Sequence, residues 1–272
     1  MSVDERDIAG RIAPSGDART KGLSMNRIIA EDLATFEEKG WLLLPGALTP
    51  EETERCRVAL NTARSNGWEE GLNHVGNMWF DSLLDRMPEV FGPLVGHPSV
   101  RPYLDALFGP QCQLRSLRGH INPGPYDQEW HLDFYGYWQQ DDTAPYASRA
   151  TGINTTFYFQ DNGPGVAQLT YVKGGHRIAP PVDITRAGGW PISEAAFNAW
   201  AESLETEVVF PKAGDCVIFF SHIPHKGSKA DPTTERSNIV CHYQNNPFYE
   251  GIPHVSVLQK HATFPLVRRP VP

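Results

Sequence analysis

Short runs of β-forming residues fill the chain beyond about residue 110, and this texture limits the possible folds more than any other feature. The runs are rich in Val, Ile, Thr, Phe and Tyr, and residues that favour turns separate them. They cover residues 111–121, 151–160, 166–172, 206–210, 215–220 and 236–244. Many short strands of this kind are typical of a sandwich or barrel. We therefore predict a mainly β fold with flanking α-helices.

Helices are predicted before and between these runs. Residues 29–39 have helical spacing, and Trp41–Leu44 is predicted to be a buried strand closed by a turn. Thr49 is a predicted N-cap, since a proline and two acidic residues follow it, and the helix should continue to about residue 65. Further helices are expected at 99–108 and 192–204.

Three segments depart from this regular pattern. Residues 1–25 are polar and look like a loose N-terminal arm, with a lid that folds on binding as the alternative. Residues 134–150 form a long aromatic loop, and 178–205 a second insertion. Because long loops inside compact domains are usually functional, we expect both to border an active site. With no obvious linker or repeat, residues 1–272 are expected to form a single domain.

Composition excludes several classes of partner. The net charge is −8 and no Lys/Arg block is present, which argues against binding to nucleic acid or an anionic membrane. No apolar run approaches the roughly 20 residues that a membrane span requires. The four cysteines are far apart without a CxxC pair, so we expect reduced thiols in the cytoplasm. Asn154-Thr155-Thr156 matches a glycosylation sequon, but is interpreted as part of a strand.

The segment Glu129–Asp133 carries a candidate metal site. His131 and Asp133 are two residues apart, so on a β-strand both side chains would project from one face toward one ion. His225 is the predicted third ligand. Two imidazoles and one carboxylate on one face of an octahedral ion leave the opposite face free, which is the signature of non-haem ferrous oxygenases.

Each of these residues has an ordinary structural alternative. His131 alone could equally be a partly buried histidine with satisfied hydrogen bonds, and Asp133 could be a turn or cap residue. The neighbours of Asp133 are apolar or aromatic, however, and a carboxylate there needs a counter-charge such as a metal. His222 competes with His225 for the third position. We favour His225, which precedes a flexible stretch that would let the backbone approach an anion, and expect His222 behind the ligands or on the surface.

Arg236 is a candidate anchor for an oxoacid. It begins a predicted strand on which Arg236, Asn238, Val240 and His242 share one face. A guanidinium binds a carboxylate through two parallel hydrogen bonds that lysine cannot reproduce. The alternative is a surface arginine at a strand edge. Ser228 could donate a further hydrogen bond to the same carboxylate, although a role in a turn is the simpler interpretation.

Tyr137 and Trp138 are candidate substrate contacts, because they lie in the long loop directly after the first two ligands. Core packing explains such aromatic clusters as often. The aromatic loop is compatible with an apolar or cationic small molecule, and the acidity of the chain disfavours a polyanion such as a CoA thioester.

Four segments in this order resemble the phytanoyl-CoA dioxygenase (PhyH) family of iron- and 2-oxoglutarate-dependent oxygenases. They are the run from Phe36 to Leu48, the Trp130–Asp133 segment, Asn162-Gly163-Pro164 leading to Gly174-Gly175-His176, and Gly214-Asp215 through His225 to Arg236. The resemblance implies a double-stranded β-helix, that is, a cupin-like jelly roll, with helices packed outside. It implies His131, Asp133 and His225 as iron ligands and Arg236 as the 2-oxoglutarate anchor.

Two departures from the family pattern are visible. The family often has Gly-Ser-His where this chain has Gly174-Gly175-His176, and the glutamine common before the first ligand can only be Gln128 here. Halogenating relatives replace the carboxylate ligand with a small residue, so Asp133 favours hydroxylation.

The resulting expectation is an enzyme that uses Fe(II), 2-oxoglutarate and dioxygen to hydroxylate an unactivated C–H bond of a small molecule, with release of succinate and CO2. The alternatives are desaturation, cyclisation or epimerisation by the same iron chemistry, or a jelly-roll module that binds a small molecule without catalysis.

Overall fold

Two antiparallel β-sheets flanked by helices make up the structure, a computed structural model that describes residues 30–72, 76–108, 112–133, 151–181 and 193–245. The strands are β1 (Trp41–Leu44), β2 (Gly71–Leu72), β3 (Met78–Phe80), β4 (Gln113–Asn122), β5 (Tyr126–Asp127), β6 (Thr151–Tyr158), β7 (Ala167–Val172), β8 (Thr206–Val209), β9 (Cys216–Phe220), β10 (His225–Lys229) and β11 (Arg236–Asn245). The helices are α1 (30–39), α2 (Pro50–Ser65), α3 (Leu83–Arg86), α4 (Pro88–Phe91), α5 (Arg101–Phe108) and α6 (Glu194–Glu202).

The strand order is that of a jelly roll. The larger sheet has the order β1-β9-β6-β11-β4-β3-β2, and the smaller sheet has the order β5-β10-β7-β8. Side chains from both sheets meet in one apolar cluster, which includes Tyr158 and Phe219 from the larger sheet and Leu169 and Tyr171 from the smaller. The two sheets therefore pack face to face, and the expected double-stranded β-helix is confirmed.

The outer face of the larger sheet is covered by helices. Helix α2 begins as predicted: the hydroxyl of Thr49 accepts from the backbone N–H of Glu52, whose carboxylate accepts from the N–H of Thr49. A side chain at Gly119 of β4 would lie 2.7 Å from both Leu60 of α2 and Leu83 of α3. Glycine at this position therefore lets the helices pack directly on the sheet.

The predicted strands and helices are found within a few residues of their expected bounds, but the shortest elements escaped prediction. Strands β2, β3 and β5 and helices α3 and α4 have two to four residues each, too few to show a period. Strand β10 was interpreted as a flexible stretch, yet it pairs with β7 along its whole length.

The expected arm at 1–25 and the loop at 134–150 lie outside the described residues. Of the insertion at 178–205, the described part contains the predicted helix, α6. No helix in the described ranges is both long and apolar enough to cross a bilayer.

Candidate metal centre

Backbone pairing brings two of the predicted ligands together. His131 and His225 form an antiparallel bridge, in which the N–H of each donates to the carbonyl of the other at 3.0 and 3.1 Å. The N–H of Asp133 donates to the carbonyl of Ser221 at 2.8 Å. The segment that carries His131 and Asp133 is therefore bound to the segment leading into β10, although it is not itself part of a named strand.

Helix α6 orients this segment from behind. Trp130 and Leu132 are buried against Phe197 and Ala201, and the N–H of Trp130 donates to the side chain of Asn198 at 2.8 Å. Because neighbouring residues of an extended chain point to opposite sides, this packing turns the intervening and following ligands the other way. The alternation of apolar and ligand residues thus sets the direction of both predicted side chains.

The three predicted ligands form one cluster. The Nε2 atom of His131 lies 3.7 Å from Oδ1 of Asp133, and Nε2 of His225 lies 3.5 Å from Oδ2. All three donor atoms lie within 4.8 Å of one another. These are the only three residues in the described ranges that form such a group. A single ion can therefore contact all of them.

Hydrogen bonds set the tautomer of both imidazoles. Nδ1 of His131 lies 2.9 Å from the carbonyl of Glu129, and Nδ1 of His225 lies 2.9 Å from the carbonyl of Ile223. A carbonyl oxygen can only accept, so each Nδ1 carries a proton, and in the neutral ring Nε2 is the atom whose lone pair faces the cluster. Metal-binding histidines are oriented by contacts of this kind.

The charge states also suit a cation. Burial alone would raise the pKa of Asp133, but His225 and His131 outweigh that effect and the pKa is lowered. Burial, followed by the neighbouring His131, lowers the pKa of His225 to about 4. Near neutral pH the cluster therefore offers an ionised carboxylate and a neutral imidazole at these two positions, which are the forms that bind a metal.

Asn154 of β6 contacts the candidate ligand Asp133, a contact that the sequence did not predict. Its side-chain amide donates to Oδ2 of Asp133, and its own carbonyl oxygen accepts from the hydroxyl of Ser221 at 2.7 Å. Asn154 is fully buried. The sequence signal for such a contact is an asparagine at an inward position of a buried strand.

Arg236 lies in the cavity that contains the cluster, a space of about 350 Å³. Its buried guanidinium donates to the side chain of Asn122 at 3.2 Å and to the hydroxyl of Tyr126. No carboxylate of the described residues forms an ion pair with Arg236. Since a buried charge needs compensation, this end of the cavity suits an anion. The prediction that Arg236, Asn238, Val240 and His242 share one face of β11 is confirmed, because all four line this cavity.

Gln128 and Ser228 have different positions. Gln128 lines the cavity, and its side-chain oxygen accepts from the N–H of Gly227 at 3.4 Å. In β10, His225 and Gly227 face the cavity, so Ser228 points to the opposite side of the strand and is absent from the cavity wall. The prediction that Ser228 donates a hydrogen bond to the anion is therefore wrong. Ser228 lies in a strand that was not predicted, and alternation along that strand turns its side chain away from the cavity.

His222 is not a ligand in this arrangement. It is buried, and its ring lies 5.2 Å from that of Phe220 and 6.4 Å from that of His176. The choice of His225 over His222 thus agrees with the geometry, while the idea of a surface position for His222 is wrong. Tyr137 and Trp138 lie outside the described residues.

Comparisons with known proteins identify structural neighbours only. No family model and no curated protein sequence matches the chain. The epimerase SnoN, in complex with Fe3+, alpha ketoglutarate and nogalamycin RO, has a TM-score of 0.65 and 14% identity over 82% of this chain and 85% of that chain. The non-haem alpha ketoglutarate dependent carbocyclase SnoK from nogalamycin biosynthesis has a TM-score of 0.62 and 19% identity over 84% and 90%.

HygX from Streptomyces hygroscopicus, with nickel, 2-oxoglutarate and hygromycin B bound, has a TM-score of 0.59 and 16% identity over 79% of this chain and 87% of that chain. At these identities the likeness establishes the jelly-roll fold.

Proposed function

We propose that this chain is a non-haem Fe(II)- and 2-oxoglutarate-dependent oxygenase acting on a small molecule, and that it belongs with the phytanoyl-CoA dioxygenase family. The observation that carries the proposal is a cluster of two histidines and one carboxylate. It shares a cavity with the buried Arg236, which forms no ion pair with a carboxylate of the described residues. The solved structures of similar fold that contain iron or nickel together with 2-oxoglutarate support it.

The donor set fits ferrous iron. Two neutral imidazoles and one carboxylate are the ligands of the facial triad, and both Nε2 lone pairs are available because each Nδ1–H donates to a carbonyl. His131, Asp133 and His225 would hold the metal, while Asn154 would keep the carboxylate of Asp133 in place. With 2-oxoglutarate and dioxygen, a bound iron would supply the oxidant for an unactivated C–H bond, and succinate and CO2 would be released.

The remaining cavity residues would bind the cosubstrate. The guanidinium of Arg236, oriented by Asn122 and Tyr126, would form two hydrogen bonds with the distal carboxylate of 2-oxoglutarate. Gln128 would contact the same molecule from the cavity wall. Gly227 leaves room for it, because a Cβ atom there would lie 3.2 Å from the hydroxyl of Tyr126 and 3.3 Å from the side-chain oxygen of Gln128.

Hydroxylation is the main outcome that we propose, supported by the retained carboxylate ligand Asp133. Epimerisation or cyclisation is the second candidate, since an epimerase and a carbocyclase have the same fold. The two outcomes differ in what the substrate radical does next. Mass analysis of the product separates them, because hydroxylation adds one oxygen atom and the other reactions add none.

Anaerobic titration tests the iron and 2-oxoglutarate site directly. The protein with Fe(II) should develop a visible charge-transfer band when 2-oxoglutarate is added, whereas a non-catalytic binding module should not. Asp133→Ala should raise the Fe(II) concentration needed to form the band by about tenfold or more. Asp127→Ala is the matched control, because Asp127 is exposed on the neighbouring strand β5. A wild-type protein without the band, or an Asp133→Ala variant that needs no more Fe(II) than Asp127→Ala, contradicts the proposal.

We further propose a cytoplasmic location and a small-molecule substrate. The location is supported by four cysteines that are all free and buried. Burial raises the pKa of Cys56 to about 11, so this thiol is not a reactive nucleophile.

A further inference from the structure

The edge of the larger sheet extends the cavity beyond the metal cluster. Trp79 of β3 and Arg118 and His120 of β4 line the same cavity as the three ligands. Trp79 and His120 are direct neighbours across the two strands, so both side chains project from one face. This set of side chains forms a wall next to the metal cluster that the iron and 2-oxoglutarate site does not use.

The indole of Trp79 packs over the backbone of Gly71, the residue with which it is paired. The two residues are paired between β2 and β3, and a Cβ atom at Gly71 would lie 1.8 and 2.1 Å from atoms of the indole ring. No real side chain fits at such distances. Gly71 does not have a positive φ, so the ring itself, rather than the backbone, requires glycine here. One face of the indole therefore covers the backbone of Gly71, and the side chain remains partly exposed at the cavity.

The polar groups of the wall carry no net charge. Arg118 donates to both carboxylate oxygens of Asp81, at 2.6 and 2.9 Å, so the two charges compensate each other. Burial, followed by the nearby Arg118, lowers the pKa of His120, which is neutral near pH 7. Nδ1 of His120 lies 3.2 Å from the side-chain oxygen of Asn238 and donates to it, which leaves Nε2 as an acceptor.

Building on the proposed function, we propose that the substrate presents a neutral ring with several hydroxyl groups to this wall. The C–H groups of such a ring carry partial positive charge and suit the negative face of the indole of Trp79. Its hydroxyl groups both donate and accept, so they can pair with the Arg118–Asp81 pair and with Nε2 of His120. The substrate would thus be a sugar, a cyclitol or a glycoside.

Other substrate classes fit this wall less well. An anion would meet a guanidinium that Asp81 already neutralises, and a cation would meet a carboxylate that Arg118 already neutralises. A wholly apolar molecule would remove water from the ion pair without replacing its hydrogen bonds. The wall therefore favours a different class of substrate from the apolar or cationic molecule that the aromatic loop suggested.

Saturation-transfer difference NMR with four matched probe groups tests the proposal. The protein is loaded with Zn(II) and 2-oxoglutarate, and the probes are neutral polyols (methyl glucoside and myo-inositol), an anion (glucose 6-phosphate), a cation (glucosamine) and an apolar ring (cyclohexanol). The neutral polyols should bind most tightly and receive most saturation at their ring C–H protons. Tighter binding of any other group, or binding of none, overturns the proposal.

Variants connect this binding to the wall. Trp79→Leu and Gly71→Ala should each weaken polyol binding about fivefold, the expected value of one aromatic contact. The double variant should be no weaker than Trp79→Leu, because Gly71 acts through the indole. Gly92→Ala is the matched control, since a Cβ atom there meets nothing within 4 Å. Unchanged binding in Trp79→Leu would contradict the role of the indole, even if Gly71→Ala failed to fold.

Calorimetry of 2-oxoglutarate binding separates failure of this inference from failure of the proposed function. If 2-oxoglutarate binds and the polyols do not, the inference on the substrate is wrong and the oxygenase proposal stands. If the polyols bind and 2-oxoglutarate does not, the oxygenase proposal is wrong and the polyol wall stands.

Discussion

Substitution of Asn154 by alanine should weaken iron binding without unfolding the protein. The side-chain N–H of Asn154 donates to Asp133. The hydroxyl of Ser221 donates to the side-chain oxygen of Asn154 at 2.7 Å and so orients the amide. A hydrogen bond to a charged group contributes about 1.5–3 kcal/mol, and loss of a partner that orients a metal ligand costs about 10- to 100-fold in metal affinity. The two ranges agree, since each tenfold change corresponds to about 1.4 kcal/mol. We therefore expect Fe(II) affinity to fall by about 10- to 100-fold.

The assay is anaerobic Fe(II) titration at saturating 2-oxoglutarate, followed by the charge-transfer band. Asn162→Ala provides the matched control, because Asn162 is also a buried asparagine but donates to the carbonyl of Pro211, in a turn away from the cluster. Its Fe(II) affinity should equal that of the wild type. If Asn154→Ala binds Fe(II) as tightly as Asn162→Ala does, the amide does not orient the carboxylate and the argument fails.

Three further predictions concern the anion site and a buried histidine. Arg236→Ala should weaken 2-oxoglutarate binding by about 2–5 kcal/mol, measured by calorimetry, and an unchanged affinity would eliminate the anchor. Gly227→Ala should also raise the Kd for 2-oxoglutarate, because its Cβ would lie 3.2 Å from the hydroxyl of Tyr126; tight binding would show that this space is unused. Burial lowers the pKa of His176 from 6.5 to about 4, so the unfolded state binds its proton more readily and stability is lost as pH falls through that interval. Between pH 7 and pH 5 the loss attributable to His176 is about 2 kcal/mol, and His176→Phe should remove it in urea unfolding; an unchanged pH dependence would refute the assignment.

Two residues of the metal cluster, His131 and Asp133, could be predicted because they lie close together in the sequence. His131 and Asp133 have the spacing of an extended chain, and the alternating Trp130 and Leu132 give that segment a buried side. The pairing with His225 is different, since it depends on an antiparallel bridge between segments almost a hundred residues apart. Spacing alone could not predict that bridge. The sequence favours His225 over His222 because a stretch interpreted as flexible follows it, and the family resemblance implies the same ligand.

The errors had physical causes of their own. The sequence His225–Lys229 contains glycine and two lysines, so its β-propensity is low, yet pairing with β7 makes it a strand. Once it is a strand, alternation turns Ser228 away from the cavity. The contact of Asn154 with Asp133 could not be predicted, because the two residues are distant in sequence and the contact is made by side chains.

Some segments of the resemblance serve packing rather than chemistry. A Cβ atom at Gly40 would lie 2.4 Å from Nδ1 of His176. Glycine at position 40 therefore lets the ring of His176, which belongs to another of these segments, pack against the backbone. The carboxylate of Asp215 accepts from the backbone N–H groups of Gly46 and Lys212, and thereby joins two turns. Such residues indicate the fold, whereas the proposed activity rests on His131, Asp133, His225 and Arg236.

The bridge between His131 and His225 has a consequence for how such a chain can evolve. Their separation is inherited from main-chain geometry, which is nearly constant in antiparallel pairs, and does not depend on which side chains surround the bound molecule. If the proposed iron site is correct, selection can therefore exchange wall residues such as Trp79 while the ligands of that site keep their geometry. Reactivity and choice of substrate are separately adjustable in this architecture.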